Sequence, residues 1–213
     1  MNVHVLPAGP IATNAYLLTA PACGEAILID APGGIWREIE ALLAEEHCRL
    51  TELWLTHGHW DHIMGAPEVV AASGVRVGAH PADRVLIETP EVQRAFLMPG
   101  IDLAPVRPDF WFERNEHREI LSENVEVRHV PGHSPGNVLF YFAKSNLAFV
   151  GDVIFAGSTG RTDLPGGSFE ELERSIRQQV YTLPEDTRLF SGHGPATTVR
   201  EEKLHNPYVS VSS

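Results

Sequence analysis

Thr56-His57-Gly58-His59-Trp60-Asp61-His62 directly follows the apolar run Leu53-Trp54-Leu55. Side chains two apart on extended backbone point to the same side, so His57 and His59 form one pair. Asp61 and His62 open the next helix as a second pair, and the spacing fits two adjacent metal ions. A polar turn that merely caps a helix is the bland alternative. It leaves unexplained three distant residues in similar settings, each beside glycine at the end of a predicted strand. These are His133 in Pro131-Gly132-His133, Asp152 in Val150-Gly151-Asp152 and His193 in Gly192-His193-Gly194. Five His and two Asp suit Zn²⁺, Fe²⁺ or Mn²⁺ better than Ca²⁺ or Cu⁺.

Outward from this segment the pattern is α/β. Strands are predicted at Asn2 to Leu6, Asn14 to Thr19, Ala26 to Asp30, Glu52 to Thr56 and Val75 to Ala79, punctuated by Pro/Gly turns. A helix is expected from Ile35 to about His47, where Ile35, Ile39, Leu42 and Leu43 share a face. Others are expected from Ile63 to Ala72, from Pro81 onward, and from Ser168 to Tyr181. The last has an N-cap signal in Ser168 followed by Glu170 and Glu171. Further strands are read at Val125 to Val130, Asn137 to Phe142, Leu147 to Val150 and Thr187 to Ser191. Between 89 and 112 the pattern breaks, with Pro90, Pro99, Pro105 and Pro108 among Phe96, Leu97, Met98, Trp111 and Phe112. That stretch is expected to be a lid or insertion loop.

The 213 residues predict one domain over 1–213, and 43% hydrophobic content leaves a sizeable core to bury. With 16 Lys+Arg against 28 Asp+Glu the net charge is −12, which argues against nucleic acid as a partner. Cys23 and Cys48 are too few for a disulfide scaffold, so a reducing, cytoplasmic setting is expected. Every apolar run is too short to span a membrane, and no targeting signal is read. The other histidines, His80 among them, lack ligand-like surroundings and are expected to be surface or packed residues.

His-x-His-Trp-Asp-His together with the three distant residues resembles the metallo-β-lactamase superfamily, in the version found in type II glyoxalases (hydroxyacylglutathione hydrolases). The run Gly160-Arg161-Thr162-Asp163-Leu164-Pro165-Gly166-Gly167 is similar to the compact bacterial members of that group. The resemblance implies an αββα sandwich with metals at one edge. It places His57, His59 and His133 on the first metal, Asp61, His62 and His193 on the second, and Asp152 as their bridge. Two divalent ions, zinc foremost, with iron or manganese as alternatives, are implied as cofactors. A hydroxide bridging them, oriented by Asp61 as the catalytic residue, would attack a small-molecule thioester.

Arg161 and Thr162 are expected at the rim, where a substrate carboxylate or amide docks; the alternative is a structural pair between Arg161 and Asp163. Only 20 residues follow His193, so the C-terminal glutathione-binding helical domain of the larger enzymes is expected to be absent, which opens a broader or different thioester specificity beside glutathione as the thiol. The competing functions are a persulfide dioxygenase using one iron, another hydrolase of the fold such as a lactonase, and a non-catalytic metal-binding module.

Overall fold

The computed structural model describes residues 1–113 and 115–211. The chain divides into two compact units, Met1–Trp111 and Phe112–Ser213.

The first unit is built on a six-stranded sheet whose strands lie side by side in chain order: Asn2–Ala8 (β1), Thr13–Ala20 (β2), Glu25–Ile29 (β3), Arg49–Trp54 (β4), Arg76–Ala79 (β5) and Phe110–Trp111 (β6). β1, β2 and β3 pair antiparallel, while β3 to β6 run parallel. Every residue of β2 is buried, as expected for a strand covered on both faces. Trp36–Glu45 (α1) makes the first parallel crossover and buries Ile39. It joins Leu17, Leu28, Leu53, Leu55 and Val77 in one apolar cluster.

The expected helix from Ile63 to Ala72 is two helices, Trp60–Ile63 (α2) and Ala66–Ser73 (α3). The break falls at Gly65, whose N–H donates to the Ala31 carbonyl at 2.8 Å instead of continuing the helical ladder. A Cβ at Gly65 would stand 2.2 Å from the Pro32 carbonyl oxygen, so only glycine permits this approach. Pro81–Asp83 is a 3-10 turn that leads into Arg84–Glu88 (α4).

The expected lid over 89–112 splits into parts of different character. Pro90–Phe96 forms a 3-10 helix that buries Gln93, and the following turn lines a cavity of about 250 Å³ with Arg94, Leu97, Met98 and Ile101. Val106 enters the core and β6 extends the sheet beside β5, so the second half of the stretch is sheet edge. Phe96 and Met98 stay exposed.

The second unit has a six-stranded sheet in the order Thr197–Thr198 (β14), Arg188–Ser191 (β13), Leu147–Gly151 (β10), Val138–Phe142 (β9), Glu123–His129 (β8), Glu116–Ile120 (β7). A two-residue hairpin, Ile154–Phe155 (β11) and Ser158–Thr159 (β12), follows β10. β10 and β13 are parallel, joined through Phe169–Ser175 (α5) and a π-helical turn at Ile176–Val180. Leu172, Ile176 and Val180 pack with Leu139, Ala148, Val150 and Leu189. Val199–His205 (α6) closes the unit. No helix among the described residues is long and apolar enough to cross a membrane.

Candidate metal centre

In the first unit, the residues after β4 form one buried cluster: His57, His59, Asp61 and His62 are all under a tenth exposed. The His57 ring lies 4.7 Å from His59 and 4.1 Å from His62, centroid to centroid. Donor atoms within the pairs His57/His59, His57/His62 and Asp61/His62 fall inside 4.8 Å of one another. Extended backbone carries the chain to His59, which precedes α2 with ψ 147°, and α2 then presents Asp61 and His62 from its first turn.

Asp30 organises this cluster from below. It is buried at the end of β3 with φ +58°, a left-handed conformation held in part by its N–H donating to Trp54 at 2.9 Å. One carboxylate oxygen accepts the Thr56 N–H at 2.8 Å. The other accepts the Thr56 hydroxyl at 2.8 Å and lies 2.7 Å from His62 Nδ1. The His62 ring is thereby turned so that Nε2 faces Asp61 Oδ2 at 3.3 Å, while the Thr13 hydroxyl donates to that same Asp61 oxygen at 2.7 Å. Thr56 Oγ1 also lies 3.0 Å from His57 Nδ1.

In the second unit, His133, Asp152 and His193 each stand just past the end of a strand: β8, β10 and β13. Because β10 and β13 are parallel neighbours, their exits lie together, and the Gly192 N–H donates to the Gly151 carbonyl at 2.9 Å. His133 is set by Gly132, where φ is +132° and a Cβ would meet Leu172 N at 2.2 Å. Its Nδ1 lies 2.8 Å from the Arg161 carbonyl oxygen, so Nε2 is the nitrogen turned toward Asp152. One oxygen, Asp152 Oδ2, faces both imidazoles, at 3.6 Å from His133 Nε2 and 3.5 Å from His193 Nε2.

These separations test whether the residues fit a metal. A hydrogen bond between ring nitrogen and carboxylate is ~2.7–3.2 Å long. Two ligands at ~2.0–2.1 Å on a tetrahedral ion stand ~3.3–3.4 Å apart. The three imidazole–carboxylate pairs, at 3.3, 3.5 and 3.6 Å, lie beyond the first range and close to the second. A carboxylate or a carbonyl fixes the far nitrogen of His62 and His133, the usual outer support of a ligating histidine. The donor set fits a divalent ion of the zinc or iron type.

Asp30, Thr13 and the Arg161 carbonyl were not among the residues expected to matter. Asp30 carries a usable signal, a lone carboxylate closing the apolar strand Ala26-Ile27-Leu28-Ile29. Arg161 donates from Nε and Nη2 to the two oxygens of Asp163, each at 2.7 Å, with both side chains exposed. Thr162 is half-buried beside them. The Arg161 guanidinium pulls the Asp163 carboxyl down to about 2. His80 is a packed residue whose Nδ1 accepts the Ala82 N–H, in line with expectation.

The family model for the metallo-beta-lactamase superfamily matches residues 8–193, and the chain belongs to that superfamily of metallo-hydrolases, with its mixed α/β fold. Among relatives, it is 37% identical to hydroxyacylglutathione hydrolase GloC of Haemophilus influenzae, over 100% of both chains. Among solved structures, the BLEG-1 B3 metallo-beta-lactamase superposes with a TM-score of 0.90 at 36% identity, over 98% of this chain and 99% of that one. TTHA1623, in a di-iron-bound form, gives 0.81 at 36% identity over 97% and 100%.

Proposed function

We propose that the chain is a dinuclear metal-dependent hydrolase of thioesters. In this reading His57, His59 and His133 hold one divalent ion, Asp61, His62 and His193 hold the other, and Asp152 is shared. The carrying observation is the spacing of carboxylate and imidazole atoms within each unit, and above all the single Asp152 oxygen that faces two imidazoles at 3.5 and 3.6 Å. Thioesters as the substrate class are supported by the full-length likeness to GloC. Zinc is the preferred metal for a His/Asp set, and the di-iron relative keeps iron as the competitor.

Bound there, the ions supply a water acidified toward neutral pH and positive charge for the oxyanion. The protein's own groups do the positioning. Asp61, anchored by the Thr13 hydroxyl, accepts and orients a proton of the attacking water. Asp30 keeps His62 in the tautomer that offers Nε2. A thiolate leaves readily, so no strong general acid is required of the chain. Arg161 and Thr162 form the rim that meets the substrate's carboxylate or amide, and a carboxylate docking on Arg161 exchanges places with Asp163.

The test is metal analysis of the purified protein with an S-D-lactoylglutathione hydrolysis assay, run beside His59→Ala. About two metals per chain and turnover lost in the variant support the proposal. One iron per chain, no hydrolysis and oxygen uptake with glutathione persulfide replace it with the dioxygenase.

A further inference from the structure

The backbone between His57 and Asp61 is held by side chains from a segment that supplies no metal ligand. Asp83 Oδ2 accepts the Gly58 N–H at 2.8 Å. Gln93 Oε1 accepts the Trp60 N–H at 2.9 Å, and Gln93 Nε2 donates to the Gly58 carbonyl at 2.9 Å and to the Leu86 carbonyl at 3.0 Å. Asp83 is 1% exposed and Gln93 3%, so these bonds form away from water, where an unanswered peptide group is costly. Gly58 makes the clamp possible: a Cβ there would meet Leu86 Cβ at 2.8 Å and Asp83 Cβ at 3.1 Å. The loop therefore lies directly against α4.

The geometry points to Gln93 and Asp83 as positioning residues for the metal-binding loop. The amide plane of Gln93 grips the peptides on both sides of His59, one through an acceptor and one through a donor. Rotation of either peptide swings the His59 ring away from its ligating direction, and rotation of the His57–Gly58 peptide held by Asp83 does the same to His57. Gln93 alone both donates and accepts here; glutamate in its place would turn a carboxylate toward the Gly58 and Leu86 carbonyls. Toward the Gly58 N–H, Asp83 acts only as an acceptor, a role that the amide oxygen of asparagine also fills.

This inference rests on the proposal that His57 and His59 ligate a metal, and its test separates the two. The variants are Gln93→Met, which keeps the volume and removes the hydrogen bonds, Asp83→Ala, Asp83→Asn, and Thr51→Val. The last is a control that loses one hydrogen bond, to Ala26, elsewhere on the sheet. Zn²⁺ affinity is measured by competition with a chromophoric chelator, and Co²⁺ loading is followed by its visible spectrum.

The expected result is an affinity loss of about 10- to 100-fold for Gln93→Met, the scale for an outer support of a metal ligand, with an altered Co²⁺ spectrum. Asp83→Ala should also weaken binding, while Asp83→Asn and Thr51→Val stay near wild type. Wild-type affinity and spectrum in Gln93→Met, or equal losses in Asp83→Asn and Asp83→Ala, overturn the inference. If Gln93→Met does not fold, the Asp83 pair decides. A wild-type protein that binds neither ion overturns the metal proposal instead.

Discussion

At the scale of single residues, two positions behave in ways their chemistry alone does not announce. A Cβ at Gly160 would stand 1.8 Å from the Asp152 carbonyl oxygen and 3.0 Å from His133 Nδ1. Gly160→Ala must therefore displace Asp152 and His133, whose side-chain Oδ2 and Nε2 are set 3.6 Å apart. It should lower bound metal by about 10-fold or more, the cost of a disturbed outer support, in an equilibrium dialysis measurement. Asp163 is the second position. Its hydrogen bonds from Arg161, then its own backbone, bring its carboxyl to about 2. Because the folded value lies below the unfolded ~3.9, the pair's contribution is present above pH ~4 and is lost as pH falls through about 2. An NMR titration of the Asp163 carboxyl should show a midpoint near 2, returning toward the ordinary value in Arg161→Ala. Ligand candidates were legible in the sequence because imidazole and carboxylate declare their chemistry. Asp83, Gln93 and Thr13 were not, since the groups they bind between Gly58 and Asp61 lie 25 to 48 residues away and only the folded chain joins them.

At the scale of elements, local signals succeeded where the segment's own chemistry decides its structure. Ser168 followed by Glu170 and Glu171 predicts a helix cap, and the Ser168 hydroxyl oxygen accepts the Glu171 N–H at 3.3 Å. Ser168→Ala should cost about 1 kcal/mol, read as a lower midpoint in urea denaturation. The buried strands β9 and β10 were also legible, because a strand covered on both faces is a continuous apolar run. β7 escaped: Glu-His-Arg-Glu-Ile alternates half-buried and exposed at the edge of its sheet, and its charges mask the pattern. α6 escaped although Thr198 and Glu201 carry the start signal, with the Glu201 N–H donating to Thr198 Oγ1 at 3.2 Å. The helix at 169–180 was found, but not the change from α to π geometry at Ile176, which nothing in that sequence explains.

At the scale of the molecule, each unit holds part of the proposed ligand set at the ends of its strands, and the family model spans both. A metal that binds the native chain and not the unfolded one stabilises it by mass action, about 2.7 kcal/mol at a hundred times the dissociation constant. The thermal midpoint should accordingly rise as zinc is restored to chelated protein. A net charge of −12 argues against a polyanion as a partner of the molecule. The most direct test of the central claim is to titrate zinc into metal-depleted protein while following S-D-lactoylglutathione hydrolysis. With two ions needed for turnover, activity should climb to a plateau at two equivalents per chain. A plateau at one equivalent, or two bound ions without hydrolysis of any thioester offered, would contradict it.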